Sequence, residues 1–177
     1  IITLGLGTGL WGQICHNELA AFIGYAGELL HVFNHAVFKG LLFLSAGSLI
    51  HSTRTGEIDR LGGLLKKLPW TGHLFLVGSL SICGLPLFNG FVSEWLVYRA
   101  LFEGMFHFEL NGIALSSLAV ISLALIGGLA AACFAKAFGA IFLWNSRSID
   151  ITRVKENSAL MCVPMAVLGG ICVWIGL

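Results

Sequence analysis

Long apolar stretches alternate with short polar ones along this chain. The apolar runs fall at about 1–14, 19–50, 70–103, 111–144 and 159–177, and roughly 20 apolar residues suffice for a helix to cross the hydrocarbon layer of a bilayer. The three middle runs predict long transmembrane helices; the first and last predict clipped ones. Two polar stretches rich in turn residues separate them, 52–69 (STRTGEIDRLGGLLKKLP) and 145–158 (NSRSIDITRVKENS), with shorter joins near 15–18 and 104–110.

The third run carries its own interruption, GLPLFNG at 84–90. Pro86 has no backbone donor, and Gly84, Asn89 and Gly90 favour turning. The run therefore predicts two half-helices meeting at mid-depth. Such a break is tolerated in lipid where the freed backbone groups are buried in protein or line a wet cavity, the setting in which transporters place their ion sites. The fold class expected is all-α, a polytopic transmembrane helix bundle with one broken helix, in a single domain over 1–177.

Composition agrees. With 57% hydrophobic and 11% charged residues, the chain lacks the polar surface to clothe a water-soluble globule, so the lipid bilayer is its solvent. A net charge of +1 argues against a nucleic-acid partner. Cys15, Cys83, Cys133, Cys162 and Cys172 contain no C-x-x-C pair and sit among apolar neighbours, so disulfides, zinc and iron–sulfur clusters are not expected, and no cofactor is. The chain begins at Ile1 and stops at Leu177 inside apolar runs; it is expected to be a piece of something longer. Of ten Lys and Arg, four lie in 52–69 (Arg54, Arg60, Lys66, Lys67) and three in 145–158 (Arg147, Arg153, Lys155). With one crossing per run these loops share a side, which the positive-inside rule makes cytoplasmic.

Three cations and three carboxylates remain inside apolar runs: Lys39, Arg99, Lys136, Glu28, Glu94 and Glu103. A charge at the centre of a membrane helix costs about 2.5–3.5 kcal/mol on insertion scales, so it faces protein or water and marks a pathway by default. In the second run Glu28, His31, His35 and Lys39 recur at helical spacing, an arc of about 80° running about 16 Å along the axis. Imidazole titrates near neutrality, and a desolvated amine gives up its proton more readily than one in water. The stripe reads as a proton relay. The alternatives are polar glue between helices and a metal or haem site on the two histidines, the latter disfavoured by the repulsion of a nearby Lys⁺.

Glu94 lies one turn past the break and is the second candidate. Lys136, about 12 Å beyond the midpoint of its run toward the basic loops, either snorkels to the interface or joins the pathway. Arg99 and Glu103, an i, i+4 pair among Trp95, Tyr98 and Phe102, read as an interfacial anchor, and His16, His51, His73 and His107 as interfacial. The stretches SAGS (45–48) and GGLAAA (127–132) are expected to let helices pack closely.

HVFNHAVFKGLLFLSAGSLIH, then DRLGGLLKKLP, then GLPLFNGFVSEW closely resemble the antiporter-like proton-pumping membrane subunits. These include large subunits of respiratory complex I, the Mrp cation/proton antiporters and the membrane arms of group 4 hydrogenases. AKAFGAIFLWNSRS and KENSALM fit the hydrogenase type best. The resemblance implies inverted five-helix repeats, of which this chain matches most of the second and one helix beyond. It also implies that His35 and Lys39 are the family's buried His and Lys, His31 the His one turn earlier, and Glu94 the ionisable residue after the second break. Glu28 departs from the pattern, and the first repeat has no counterpart here. The implied function is proton translocation, without redox chemistry of its own, within a hydrogenase or NADH:quinone oxidoreductase type complex. Its partners would be other membrane and peripheral subunits, in a bacterial or archaeal cell membrane. A Mrp-type subunit moving Na⁺ against H⁺, a haem-bearing membrane anchor and a non-conducting scaffold are the alternatives.

Overall fold

The computed structural model describes residues 1–107, 110–144 and 154–177, with the side chains of 106, 107, 110 and 111 left aside. Arg147, Arg153 and the side chain of His107 lie outside the described residues. Everything ordered into regular elements there is helical: α1 (Ile2–Ile14), α2 (Glu18–Thr53), α3 (Pro69–Ile82), α4 (Asn89–His107), α5 (Leu110–Phe138) extended by a π-helical turn (Gly139–Leu143), and α6 (Ala159–Gly176). Among the described residues, three helices are long and apolar enough to cross a membrane, Glu18–Thr53, Gly112–Leu143 and Ala159–Gly176.

α1 and α2 form a tight helical hairpin. α1 closes with His16 in the left-handed region (φ 54°), the Asn17 amide donating to the Gly12 carbonyl at 2.8 Å and His16 N to Gln13 O at 3.2 Å, the paired bonds of a Schellman turn. The Asn17 side chain then accepts from Ala20 N at 3.0 Å and caps α2. A Cβ at Gly12 would meet Ala21 N at 2.6 Å, and one at Gly24 would meet Gly9 N at 2.7 Å, so the small residues let the two backbones touch.

α2 is the spine, 36 residues or about 54 Å. The interrupted segment runs antiparallel beside it: Gly27 lies against Leu96 and Val97, His31 meets Ser93, Asn34 meets Asn89, Leu41 and Leu42 cover Gly78, and Ser48 meets Thr71. This ladder from 27 to 48 covers about 31 Å, one hydrocarbon thickness, and sets the break opposite the middle of α2. α3 ends in a second Schellman turn, Leu85 N to Leu80 O at 3.3 Å and Gly84 N to Ser81 O at 3.2 Å, with Gly84 at φ 63°. α4 restarts so close to α3 that a Cβ on Gly90 would overlap the Ser81 carbonyl oxygen. The end of α6 closes the break from a third direction, Gly176 lying against the Leu87 and Phe88 backbone.

At the other end of α2 the stretch expected as a polar linker is instead a packed cap. Leu61, Leu64 and Leu68 are 1%, 1% and 0% exposed and join Leu49, Phe75, Ile141, Phe142 and Val154 in one core, while Lys66 and Lys67 stay outside. The residues before α6 are tied to the same end. Glu156 Oε2 accepts from Trp70 N at 2.8 Å, its Oε1 from Thr71 Oγ1 at 2.7 Å, and Asn157 Nδ2 donates to Ser48 Oγ at 2.6 Å. α3 has no side-chain cap of its own; Glu156 supplies one from 86 positions away, at the positive end of the helix. The 54–68 and 154–158 segments therefore share one end of the bundle.

The two small-residue stretches behave differently. In SAGS, Ser45 and Ser48 are fully buried. In GGLAAA, a Cβ at Gly127 or Gly128 would meet nothing within 4 Å among the described residues, so the expected close packing is not seen there.

Gly90→Ala should lower the thermal midpoint of the detergent-solubilised full-length protein, because overpacking against a backbone carbonyl costs about 1–3 kcal/mol. Gly47→Ala, in open space among the described residues, should leave it unchanged or raise it. Equal effects of the two would show that the half-helices have room to part.

Candidate functional site

The polar seam at the middle of α2 is built by α2 and the start of α4. His31 (3% exposed) and Asn34 (0%) face Asn89 and Ser93, both at 0%. His31 Nδ1 lies 2.9 Å from Ser93 Oγ. Asn34 Nδ2 donates to Asn89 O at 2.7 Å and to Ser93 Oγ at 3.3 Å, and Asn89 Nδ2 returns to Asn34 Oδ1 at 3.3 Å. Ser93 Oγ reaches Gly90 O at 3.0 Å and Asn89 O at 3.4 Å. The seam thus joins the charged helix to the first turn of the half-helix that carries Glu94. Asn89 Oδ1 is buried without a hydrogen-bond partner among the described residues; such an acceptor costs about 1–3 kcal/mol unless water reaches it.

The stripe is not uniformly buried. The face of α2 toward α4 is set by Gly27, His31 and Asn34, and the stripe lies on its margin. His31, on the inner edge, is enclosed, whereas Glu28, His35 and Lys39 are half-buried. His35 stands 6.2 Å from His31, ring centre to ring centre, and packs edge-on against Phe38 at 5.3 Å. Lys39 Nζ sits 5.9 Å from the centre of the Phe43 ring, a cation–π distance. No salt bridge holds Lys39 or Glu94 among the described residues.

Glu94 points elsewhere than Ser93. Helical side chains lean toward the N-terminus, and the Glu94 carboxylate reaches back onto Gly84, where a Cβ would overlap it. The structure thus places His31 and Glu94 on the same turn of the seam without direct contact. Lys136 is exposed near the end of α5, and no hydrogen bond or ion pair joins it to His31, His35, Lys39 or Glu94 among the described residues. Arg99, Trp95 and Phe102 are exposed and Glu103 half-buried. Asn34 and Ser93 were missed by sequence reasoning that weighed only ionisable side chains. The available signal was an amide three residues after His31 inside an apolar run, where a polar group needs a partner.

Comparison with known proteins gives this geometry a context. The family model described as NADH:quinone oxidoreductase/Mrp antiporter, transmembrane, matches residues 10–122. The chain is 39% identical over 178 residues to hydrogenase-4 component B of Escherichia coli (strain K12), covering 100% of this chain and 26% of that protein. It is 37% identical over 177 residues to formate hydrogenlyase subunit 3 of the same organism, covering 98% and 28%. With a Na(+)/H(+) antiporter subunit of Alkalihalophilus pseudofirmus it shares 34% identity over 162 residues, 88% of this chain and 20% of that one. Among solved structures it is similar to a chain of the membrane-bound sulfane sulfur reductase, an archaeal respiratory membrane complex, at a TM-score of 0.69 and 28% identity, covering 87% of this chain and 24% of that one. The chain thus spans 26% and 28% of the two Escherichia coli relatives.

Asn34→Leu should destabilise the full-length protein by about 1–3 kcal/mol, since it removes the amide that donates to Asn89 O and Ser93 Oγ and the oxygen that accepts from Asn89 Nδ2 in an apolar setting. Chemical denaturation in detergent checks it; a loss no larger than that of a lipid-facing control such as Phe43→Leu would show that the seam does not hold the break.

Proposed function

Because this chain belongs to the NADH:quinone oxidoreductase/Mrp antiporter transmembrane family, we propose that it is the second, inverted repeat of a proton-translocating membrane subunit of a redox-driven complex. The observation that carries the reading is the seam: a helix with His31, His35 and Lys39 is bonded at mid-depth to a broken helix with Glu94 one turn past its break. Polar groups at this depth are costly and are kept where they serve a pathway, and broken helices supply ion sites at the midplane.

In this reading Lys39 is the central proton store, His35 and His31 are relay groups, Glu94 is the gate at the break, and Lys136 joins the pathway nearer the basic loops. Coupling acts through charge: a change at one group alters the proton affinity of its neighbour, with no covalent step. The complex supplies the redox chemistry through other membrane and peripheral subunits. The protein resides in a bacterial or archaeal cell membrane with the 54–68 and 154–158 end, which carries Arg54, Arg60, Lys66, Lys67 and Lys155, in the cytoplasm.

The second reading is a Mrp-type subunit exchanging Na⁺ for H⁺ through the same residues, favoured by the similarity to the Alkalihalophilus antiporter protein. Sealed vesicles bearing the intact complex separate the two. With Glu94→Gln or Lys39→Ala, redox-driven acidification should be lost while the assembled complex is retained. Unchanged pumping at unchanged turnover in both variants would sink the pathway assignment, and acidification driven by a Na⁺ gradient without redox substrate would favour the antiporter.

A further inference from the structure

The hydrogen bonds around Ser93 fix more than a contact. A serine hydroxyl has one proton to give and two lone pairs to receive with, and here four groups surround it. Gly90 O at 3.0 Å and Asn89 O at 3.4 Å can only accept. Asn34 Nδ2 at 3.3 Å can only donate. His31 Nδ1, at 2.9 Å, can do either. If Ser93 gives its proton to the Gly90 carbonyl, one lone pair takes the Asn34 amide and the other takes Nδ1–H, and every valence is used. If Ser93 instead gives its proton to Nδ1, one of its lone pairs is left empty at 0% exposure and the carbonyl contact carries no hydrogen. An unmade buried bond is the costlier state, so the first arrangement wins.

We infer that Ser93 is a positioning residue that holds neutral His31 as the Nδ1–H tautomer, leaving Nε2 as the one ring atom through which His31 takes up and returns a proton. This deepens the proposed function and rests on it for its consequence, though not for the tautomer. Proton exchange at His31 then runs through Nε2 and never through the seam. No proton passes along Ser93, because its own proton faces carbonyls that cannot relay one. The imidazole binds a proton at Nε2 to become imidazolium and releases it from the same atom, and the Nδ1–H bond to Ser93 survives both steps. The seam keeps its geometry while the charge changes, and Asn34, bonded to Asn89 O at 2.7 Å, keeps Ser93 in register.

The test is ¹⁵N magnetic resonance of histidine-labelled intact complex in lipid, with His31 identified by its absence in His31→Gln, alongside vesicle pumping. Native His31 should show a protonated Nδ1 and a bare Nε2. Ser93→Ala should mix the tautomers and lower redox-driven pumping about tenfold, the rate equivalent of one hydrogen bond, while Ser93→Thr should restore both. An Nε2–H native tautomer, or one that Ser93→Ala leaves unmoved, overturns the assignment. If the tautomer moves but Ser93→Ala pumps normally while Glu94→Gln does not, the positioning role in transport is overturned. If both variants pump normally, the pathway reading itself has failed and the tautomer assignment stands alone. Should Ser93→Ala not assemble, the native spectrum and Ser93→Thr still decide between the two tautomers.

Discussion

A helix that stops halfway through a bilayer must find partners for backbone groups that lipid cannot satisfy, and the rest of this molecule is arranged around that demand. The break at 83–88 is held from three directions: by its own Schellman turn on Gly84, by the Asn34 amide on Asn89 at the start of α4, and by Gly176 of α6 against Leu87 and Phe88. Each closure recruits a different part of the chain. α2 has to lie antiparallel with Asn34 at the level of the break, which fixes the register of the whole ladder from Gly27 to Ser48. α6 has to return to the same depth, which its attachment through Glu156 and Asn157 to the far end of α2 and α3 makes possible.

That register decides what the ionisable stripe can do. The members of the stripe spread over an arc of about 80° and fall in different environments. His31, on the inner edge, is the member that bonds the broken helix; His35 and Lys39, on the margin, are held by aromatic contacts with Phe38 and Phe43 and remain half-buried. A stripe enclosed along its whole length would have to neutralise its charges or pair them. A stripe with one enclosed edge and one open margin can hold charge at the margin.

The all-α class and the helix break were legible because their causes are local: continuous apolar runs, and Pro86 among Gly84, Asn89 and Gly90. The stripe was legible because helical periodicity puts Glu28, His31, His35 and Lys39 on one arc whatever surrounds them. What lay beyond reach was set by distant chain. Nothing near Thr71 announces that Glu156 will cap α3, and Leu61, Leu64 and Leu68 look like part of a polar linker until the π-helical turn brings Ile141 and Phe142 over them. The GGLAAA stretch illustrates the reverse error, in which small residues permit close packing but do not by themselves supply a neighbour. Asn34 and Ser93 were visible but neutral, and weighing charges alone passed over the amide and hydroxyl that join the two helices.

Gly84 shows why the carboxylate and the break belong together. The Schellman turn needs a residue at positive φ, and at φ 63° glycine adopts it without the cost of about 1–2 kcal/mol that a side chain would meet. The same missing Cβ is the space into which the Glu94 carboxylate leans. One atom's absence therefore serves both the end of α3 and the placement of an acid on α4, and the two cannot vary independently. If the turn at Gly84 unwinds, the carboxylate loses its seat; if the carboxylate changes its charge or direction, the turn feels it at van der Waals range. The packing of one glycine against one side chain thus ties the position of the acid to the geometry of the break.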